Sequence, residues 1–205
     1  WVRFTTRNIT NTAIPWILES YYSPMDYIEL FKPGEKHIAS LDRSDSYTQN
    51  FYGDKYPFSN RDIKYRNPAF PLVAQAGKVD TYYLRFESQG SMTINLKKWP
   101  GQTFAEKVDG DKAAYGFFFG VMLITAFYAF VSVFFTRDIS YAWVGVALIG
   151  TAGYSSSLNG LSFQYIWPNS LWLQEFGIPI VINIAFAFIG LFSRHFLELK
   201  GNYPK

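Results

Sequence analysis

Between Lys112 and Arg137 the chain carries no charge, and this one interruption constrains the fold more than any other feature. The stretch 113–135 is made largely of Phe, Ala, Val, Ile and Gly. At about 1.5 Å per helical residue its roughly 23 residues reach across the hydrocarbon core of a bilayer. Ahead of it, residues 1–111 are charged, rich in Tyr, Thr and Ser, and punctuated by Pro and Gly; after it come two more apolar stretches. The sequence thus poses two folding problems, one in water and one in lipid.

Charge follows the same division. Residues 1–111 hold 14 Lys/Arg and 13 Asp/Glu, which leaves 8 of the 35 charges for the last 94 residues. The net charge is only +3 and the basic residues are interleaved with acids, so no nucleic-acid partner is expected. The absence of cysteine excludes disulfides, thiolate catalysis and Cys-based zinc or iron–sulfur sites. It does not identify a compartment, because a soluble domain of this size builds a core without cross-links. The chain opens at Trp1 with no secretory leader pattern and ends abruptly at Lys205. The expectation is a piece of a longer protein, with a signal sequence or another domain upstream and room for an effector downstream.

The first part reads as strands. Residues 1–7 alternate, 14–22 form a compact apolar and aromatic run, and 26–31 alternate again around Tyr27, Ile28 and Leu30. Turn signals close each run: Asn8 to Asn11, Ser23-Pro24 and Lys32-Pro33-Gly34. Residues 70–76, 81–87 and 91–97 give three more β-like segments, spaced by about ten residues as in antiparallel sandwiches. About seven short strands predict an all-β sandwich, jelly-roll-like, over residues 1–102, with strand order unspecified. Residues 103–112 then form a linker.

Three spans are expected, at 113–136, 141–163 and 177–193, followed by a tail or loop at 194–205. The polar turn Thr136-Arg137-Asp138-Ile139-Ser140 is a tight connection between antiparallel helices. Gly145, Gly150, Gly153, Ser155 to Ser157 and Asn159 give the second span the composition of a helix packed among others. Residues 164–176, with Trp167, Pro168 and Trp172, suit an interfacial aromatic belt. Arg137, Arg194, Lys200 and Lys205 fall on one side if the spans alternate, so the β-domain lies outside and the C-terminus is cytoplasmic. Gly116 and Gly120 form a small-xxx-small pair, and Asn183 places an amide in the third span; these three are the candidates for helix packing. Pro179 starts or kinks the third helix.

Catalytic constellations are absent from the pattern. His37 and His195 lie on opposite sides of the membrane in this topology and cannot share a site. The carboxylate pairs Asp42/Asp45 and Asp109/Asp111 read as loop solvation, and neither a metal nor a cofactor is expected. Asn8-Ile9-Thr10 matches a glycosylation acceptor, a pattern too short to carry weight. Trp16, Tyr21, Tyr22, Tyr52, Tyr56 and Trp99 are many aromatics for one small sandwich, and flat rings with polar tips suit stacking on sugars. Packing between the sheets or resting on the membrane surface is the alternative for each ring. Residues 51–68 form a long polar and aromatic connection of the kind that carries recognition. Arg61 and Arg66 there either grip an anion or form structural ion pairs. The candidate ligand-binding residues are Tyr52, Arg61, Arg66, Trp16 and Trp99.

The order of motifs resembles a known family. Trp1-Val2-Arg3-Phe4 followed by Asn8, then Trp16-Ile17-Leu18-Glu19, Asp26-Tyr27-Ile28-Glu29-Leu30-Phe31, Arg66-Asn67-Pro68-Ala69-Phe70-Pro71-Leu72 and Thr81-Tyr82-Tyr83-Leu84-Arg85-Phe86 lead into Tyr115-Gly116 and a membrane bundle. This is similar to the bacterial seven-transmembrane receptors with diverse intracellular signalling modules, 7TMR-DISM, in their extracytoplasmic jelly-roll sensor and the start of their membrane region. The Arg137-Asp138 turn with Tyr141 resembles that family's first cytoplasmic connection. The resemblance implies four further helices and a cytoplasmic signalling domain in cis, such as a diguanylate cyclase, histidine kinase, adenylyl cyclase or phosphatase. It implies a sensor for a small, carbohydrate-like extracytoplasmic ligand, with no residue-level ligand motif to transfer.

The expected function is therefore a non-enzymatic sensor portion of a multi-pass receptor in the bacterial plasma membrane, with a second copy of the chain as an admissible partner. A ligand would shift the sandwich, and a short stiff linker would pass that shift into the first helix. The competing expectation is a membrane-anchored carbohydrate-binding or envelope-assembly protein without output. A membrane enzyme ranks last, because the spans offer only Asn159, Asn183 and serines.

Overall fold

The computed structural model describes residues 1–34 and 47–197. It divides into two compact units. One comprises Trp1–Lys107 with Asn159–Leu171; the other comprises Val108–Leu158 and the helical residues from Trp172 onward. His37, Asp42, Asp45, Lys200 and Lys205 lie outside the described residues.

The first unit is a sandwich of two antiparallel sheets. Strands β1 (Val2–Arg7), β6 (Val79–Glu87), β3 (Tyr27–Pro33) and β4 (Tyr47–Tyr52) form one sheet in the order β1-β6-β3-β4. Strands β5 (Ala69–Ala74), β2 (Ile14–Ser20) and β7 (Leu96–Pro100) form the other in the order β5-β2-β7. Alternation in β3 and β6 sends Ile28, Leu30, Tyr82, Leu84 and Phe86 inward. There they meet Trp16, Leu18, Phe70 and Leu72 of the facing sheet in one core. β2 departs from alternation because its last three residues are all buried. Leu18 and Ser20 face the core, and Glu19 is buried on the opposite, outer face of its sheet.

Two strand boundaries differ from the sequence reading. β4 reaches into the expected long connection, whose irregular part starts after Tyr52. The last strand is Leu96–Pro100 rather than 91–97, because β2 pairs with it from Trp16↔Pro100 to Ser20↔Leu96. Met92 and Ile94, whose alternation suggested a strand, are exposed with no ladder to join. Asn8 has a structural role. Its amide is buried and donates to Thr12 O at 2.7 Å and Ala74 O at 2.8 Å, while its carbonyl accepts from Thr10. The side chain closes the β1–β2 turn and has no free nitrogen to modify.

The second unit is helical. Helix α1 runs unbroken over Gly101–Thr136, 36 residues or about 54 Å. The expected linker 103–112 is part of this helix, and its first turns, through Lys107, belong to the sandwich unit. Helix α2 spans Ser140–Leu158 and α3 spans Leu171–Phe196. Among the described residues α1 and α3 are long and apolar enough to cross a membrane; α2, read as the middle span, is shorter and richer in Gly and Ser. α3 begins well before Pro179, which sits inside it, and Asn183 donates its amide to Pro179 O at 2.7 Å.

Close packing in this unit runs through other small residues than expected. A Cβ on Gly150 would lie 3.0 Å from Ala185 Cβ, on Gly153 3.4 Å from Val181, and on Gly145 2.9 Å from the Phe130 ring. Gly116 and Gly120 meet nothing within 4 Å among the described residues, and Asn183 is exposed. At the α1–α2 turn, Arg137 takes a positive φ of 58° and Asp138 accepts the Ser140 N–H at 2.8 Å.

Candidate functional site

Glu19 is a heavily committed side chain of the sandwich. It is 0% exposed on the outer face of β2 and accepts three hydrogen bonds. The donors are Asn67 Nδ2 at 2.8 Å, Trp99 Nε1 at 2.7 Å and Lys107 Nζ at 2.8 Å. Trp99 reaches it from β7, Asn67 from the segment entering β5, and Lys107 from the second turn of α1. The Lys107 ammonium also donates to Tyr65 OH at 2.7 Å. Aromatic rings surround it, with Tyr65, Tyr21, Trp99 and Phe104 centred 4.6, 5.3, 5.6 and 5.7 Å away. Phe104, one turn earlier, is buried edge-on against Tyr65 at 5.4 Å.

A carboxylate this buried persists only when its charge and lone pairs are satisfied, and this one is satisfied by a cation and two neutral donors. Removing Lys107 would strand a buried negative charge, a loss of about 3–5 kcal/mol for such pairs. The arrangement therefore fixes the start of α1 to the three-stranded sheet.

A second cluster fixes residues 159–171 to the same sandwich. Arg61 is buried, its guanidinium 4.8 Å from the centre of Phe58 and 5.4 Å from that of Phe163, with Nη1 donating to Tyr65 O and Arg66 O. Burial pulls its pKa down to about 10, opposed by Asp54 and Tyr52, so it stays charged at neutral pH. Arg66 donates to Asn159 O at 3.5 Å, Gln164 Nε2 to Lys64 O at 3.1 Å, and Phe58 N to Pro168 O at 3.1 Å. Gly160 has φ +72°, and a Cβ there would strike Ser23 Oγ and Arg66 O, so only glycine fits.

The five residues expected to bind ligand are thus dispersed and mostly interior. Trp16 is core, edge-on to Phe4 and Tyr82. Tyr52 is core, its ring on Phe70 and its hydroxyl on Asp62; burial first, then Asp62, raises its pKa. Arg61 and Arg66 hold residues 159–171, and Trp99 serves Glu19. Glu19, Asn67, Lys107 and Phe163 escaped the sequence reading. The available signal was Glu19 itself, a single acid inside the apolar run 14–22.

At the other end of α1, Ser140 Oγ lies 2.7 Å from His195 Nδ1 and Asp138 Oδ1 lies 3.8 Å from the same nitrogen. A nucleophilic relay needs the serine and the acid on opposite ring nitrogens, so this cluster is a tie between the α1–α2 turn and the end of α3. Asp138 is held below the usual carboxylate range, first by the Ser140 N–H. Among the described residues no group of three His, Asp or Glu side chains is placed to hold a metal.

Two families match the chain. The one described as 7TMR-DISM extracellular 2 covers residues 1–100, and the one described as 7TM diverse intracellular signalling covers residues 111–205. Between them only residues 101–110 are left, the opening turns of α1. The chain matches no curated protein and no solved structure. A β-sandwich matched along its length to an extracellular sensor module, continuing into apolar helices matched to the membrane module, makes this chain a member of the 7TMR-DISM receptors.

Proposed function

We propose that the sandwich is the extracytoplasmic sensor of a bacterial plasma-membrane receptor, and that α1 carries its state through the membrane to a cytoplasmic signalling domain in cis. Membership of the family makes the chain part of a transmembrane sensory receptor; the ligand, the multi-pass orientation with a cytoplasmic C-terminus, and the relay are this reading's own. The observation that carries it is the buried Glu19–Lys107 pair at 2.8 Å. It anchors a helix that continues without interruption to Thr136. A sensor joined by a flexible tether loses its motion in the tether, whereas a helix held by a desolvated ion pair and a buried Phe104 moves with its sheet. Anchoring alone would not require so costly a junction.

The intact receptor, with its output domain, provides the test. Lys107→Met is expected to shift basal output by roughly fivefold or more, the lower end of ordinary coupling between sites. Lys112→Met, which removes the exposed Asp109–Lys112 pair, is expected to leave output unchanged. Equal output from both variants and the native receptor would contradict relay through this junction.

A further inference from the structure

The inner face of the four-stranded sheet changes character along its length. At one end Ile28 stands in register with Tyr52 and Phe86, all buried in the core. Towards the other end Lys32 pairs with Thr48, and Thr6 with Asp80, on that same inward row. Inward positions at the end of a sandwich are ordinarily apolar or covered. Among the described residues a cavity of about 610 Å³ opens here, within the size range of small-molecule sites. Lys32, Thr48, Gln75, Lys78 and Asp80 supply its polar lining, with Leu72 and the ring of Tyr82 among its apolar surfaces. One inward position beyond Thr48, the Asn50 carbonyl oxygen is buried with no hydrogen-bond partner among the described residues. The described residues give neither lysine an ion pair with Asp80.

We propose that this cavity is a binding site for a small hydroxylated carboxylate. Two lysines lining one space call for an anion, and a carboxylate is the compact anion that two lysines can share. Asp80 and Gln75 offer acceptors, and Thr48 a hydroxyl, for the hydroxyl groups of such a molecule. Leu72 and Tyr82 give its carbon skeleton an apolar face. None of the five residues singled out from the sequence lines this cavity. The proposal deepens the sensor reading by naming a ligand class and a place, and it rests on that reading only in taking the sandwich as the sensor.

The test is calorimetric titration of the full chain in phospholipid nanodiscs with D-glucuronate, and with D-glucose as the counterpart lacking the carboxylate. Saturable binding of glucuronate is expected, with glucose roughly tenfold weaker or more. Lys32→Met/Lys78→Met should lose glucuronate binding while keeping the native melting temperature, and Lys98→Met, on the other sheet, should keep both. Lys107→Met should bind glucuronate as the native chain does if it remains folded by near-ultraviolet circular dichroism. Absence of glucuronate binding, glucose binding as tightly, or undiminished binding by the double variant would each overturn the site. Binding retained alongside unaltered output in Lys107→Met would instead count against the relay alone.

Discussion

Glu19 and Asp80 are acids of the same sandwich, and their surroundings are opposite. Glu19 has no exposure, a lysine at 2.8 Å and two further donors. Asp80 is half-buried, shares an open cavity with two lysines and pairs with neither. In the closed cluster a carboxylate, an amide, an indole and an ammonium bond one another, which suits a joint. The open cluster holds its polar groups apart around a space, which suits a receptor site. On the proposed reading, one small fold separates rigid connection from recognition by placing them at different ends of the sandwich.

The largest predicted effect breaks the closed cluster. Lys107→Met should lower the sandwich's stability by about 3–5 kcal/mol, and the double variant Glu19→Gln/Lys107→Met should recover much of that loss, because no buried charge remains unpaired. Thermal unfolding followed by Trp fluorescence reads both. Next comes Gly160→Ala, which combines a left-handed backbone with contacts to Ser23 and Arg66. A cost of about 2–3 kcal/mol is expected, visible as faster protease cleavage within 159–171. Gly150→Leu should weaken α2–α3 packing by about 1–3 kcal/mol, since its neighbour is Ala185 at 3.0 Å and cannot yield like a flexible side chain. Unfolding in mixed micelles measures it. The smallest effect belongs to the open cluster: Lys32→Met/Lys78→Met should change stability by no more than about 0.5 kcal/mol. A large loss there would mean that the open cluster is structural after all, and the contrast with Glu19 would fail.

Much of this organisation is legible in the sequence, and the failures have identifiable causes. The charge-free stretch gives the core of α1, and alternation with turn signals places five strands within a few residues. β7 is displaced because alternation at Met92 and Ile94 promises a strand, while only β2 can decide which residues pair. The helical start of α1 is hidden because Gly101, Gly110 and the acids of 103–112 give no apolar periodicity. Contacts of Phe104 and Lys107 with the sandwich support those turns, and such contacts are tertiary. The candidate ligand residues were chosen for being aromatic, or for being basic in a long connection. Those same properties make Arg61, Arg66 and Trp99 good interior clamps, and only three-dimensional burial tells the two uses apart. The cavity residues escape notice because Lys32 and Asp80 are ordinary strand-end residues until the register faces them inward, and Lys78 is an ordinary turn residue beside them.

The most direct test of the joint uses the chain's lack of native cysteine. Nitroxides are placed on Thr5→Cys in β1 and Glu106→Cys in α1, and their separation is measured by pulsed dipolar spectroscopy on the full chain in nanodiscs. A single narrow distance distribution is predicted, broadening when Lys107→Met is added. A broad distribution with Lys107 in place would mean that α1 is not held by the sheet, and would contradict the account.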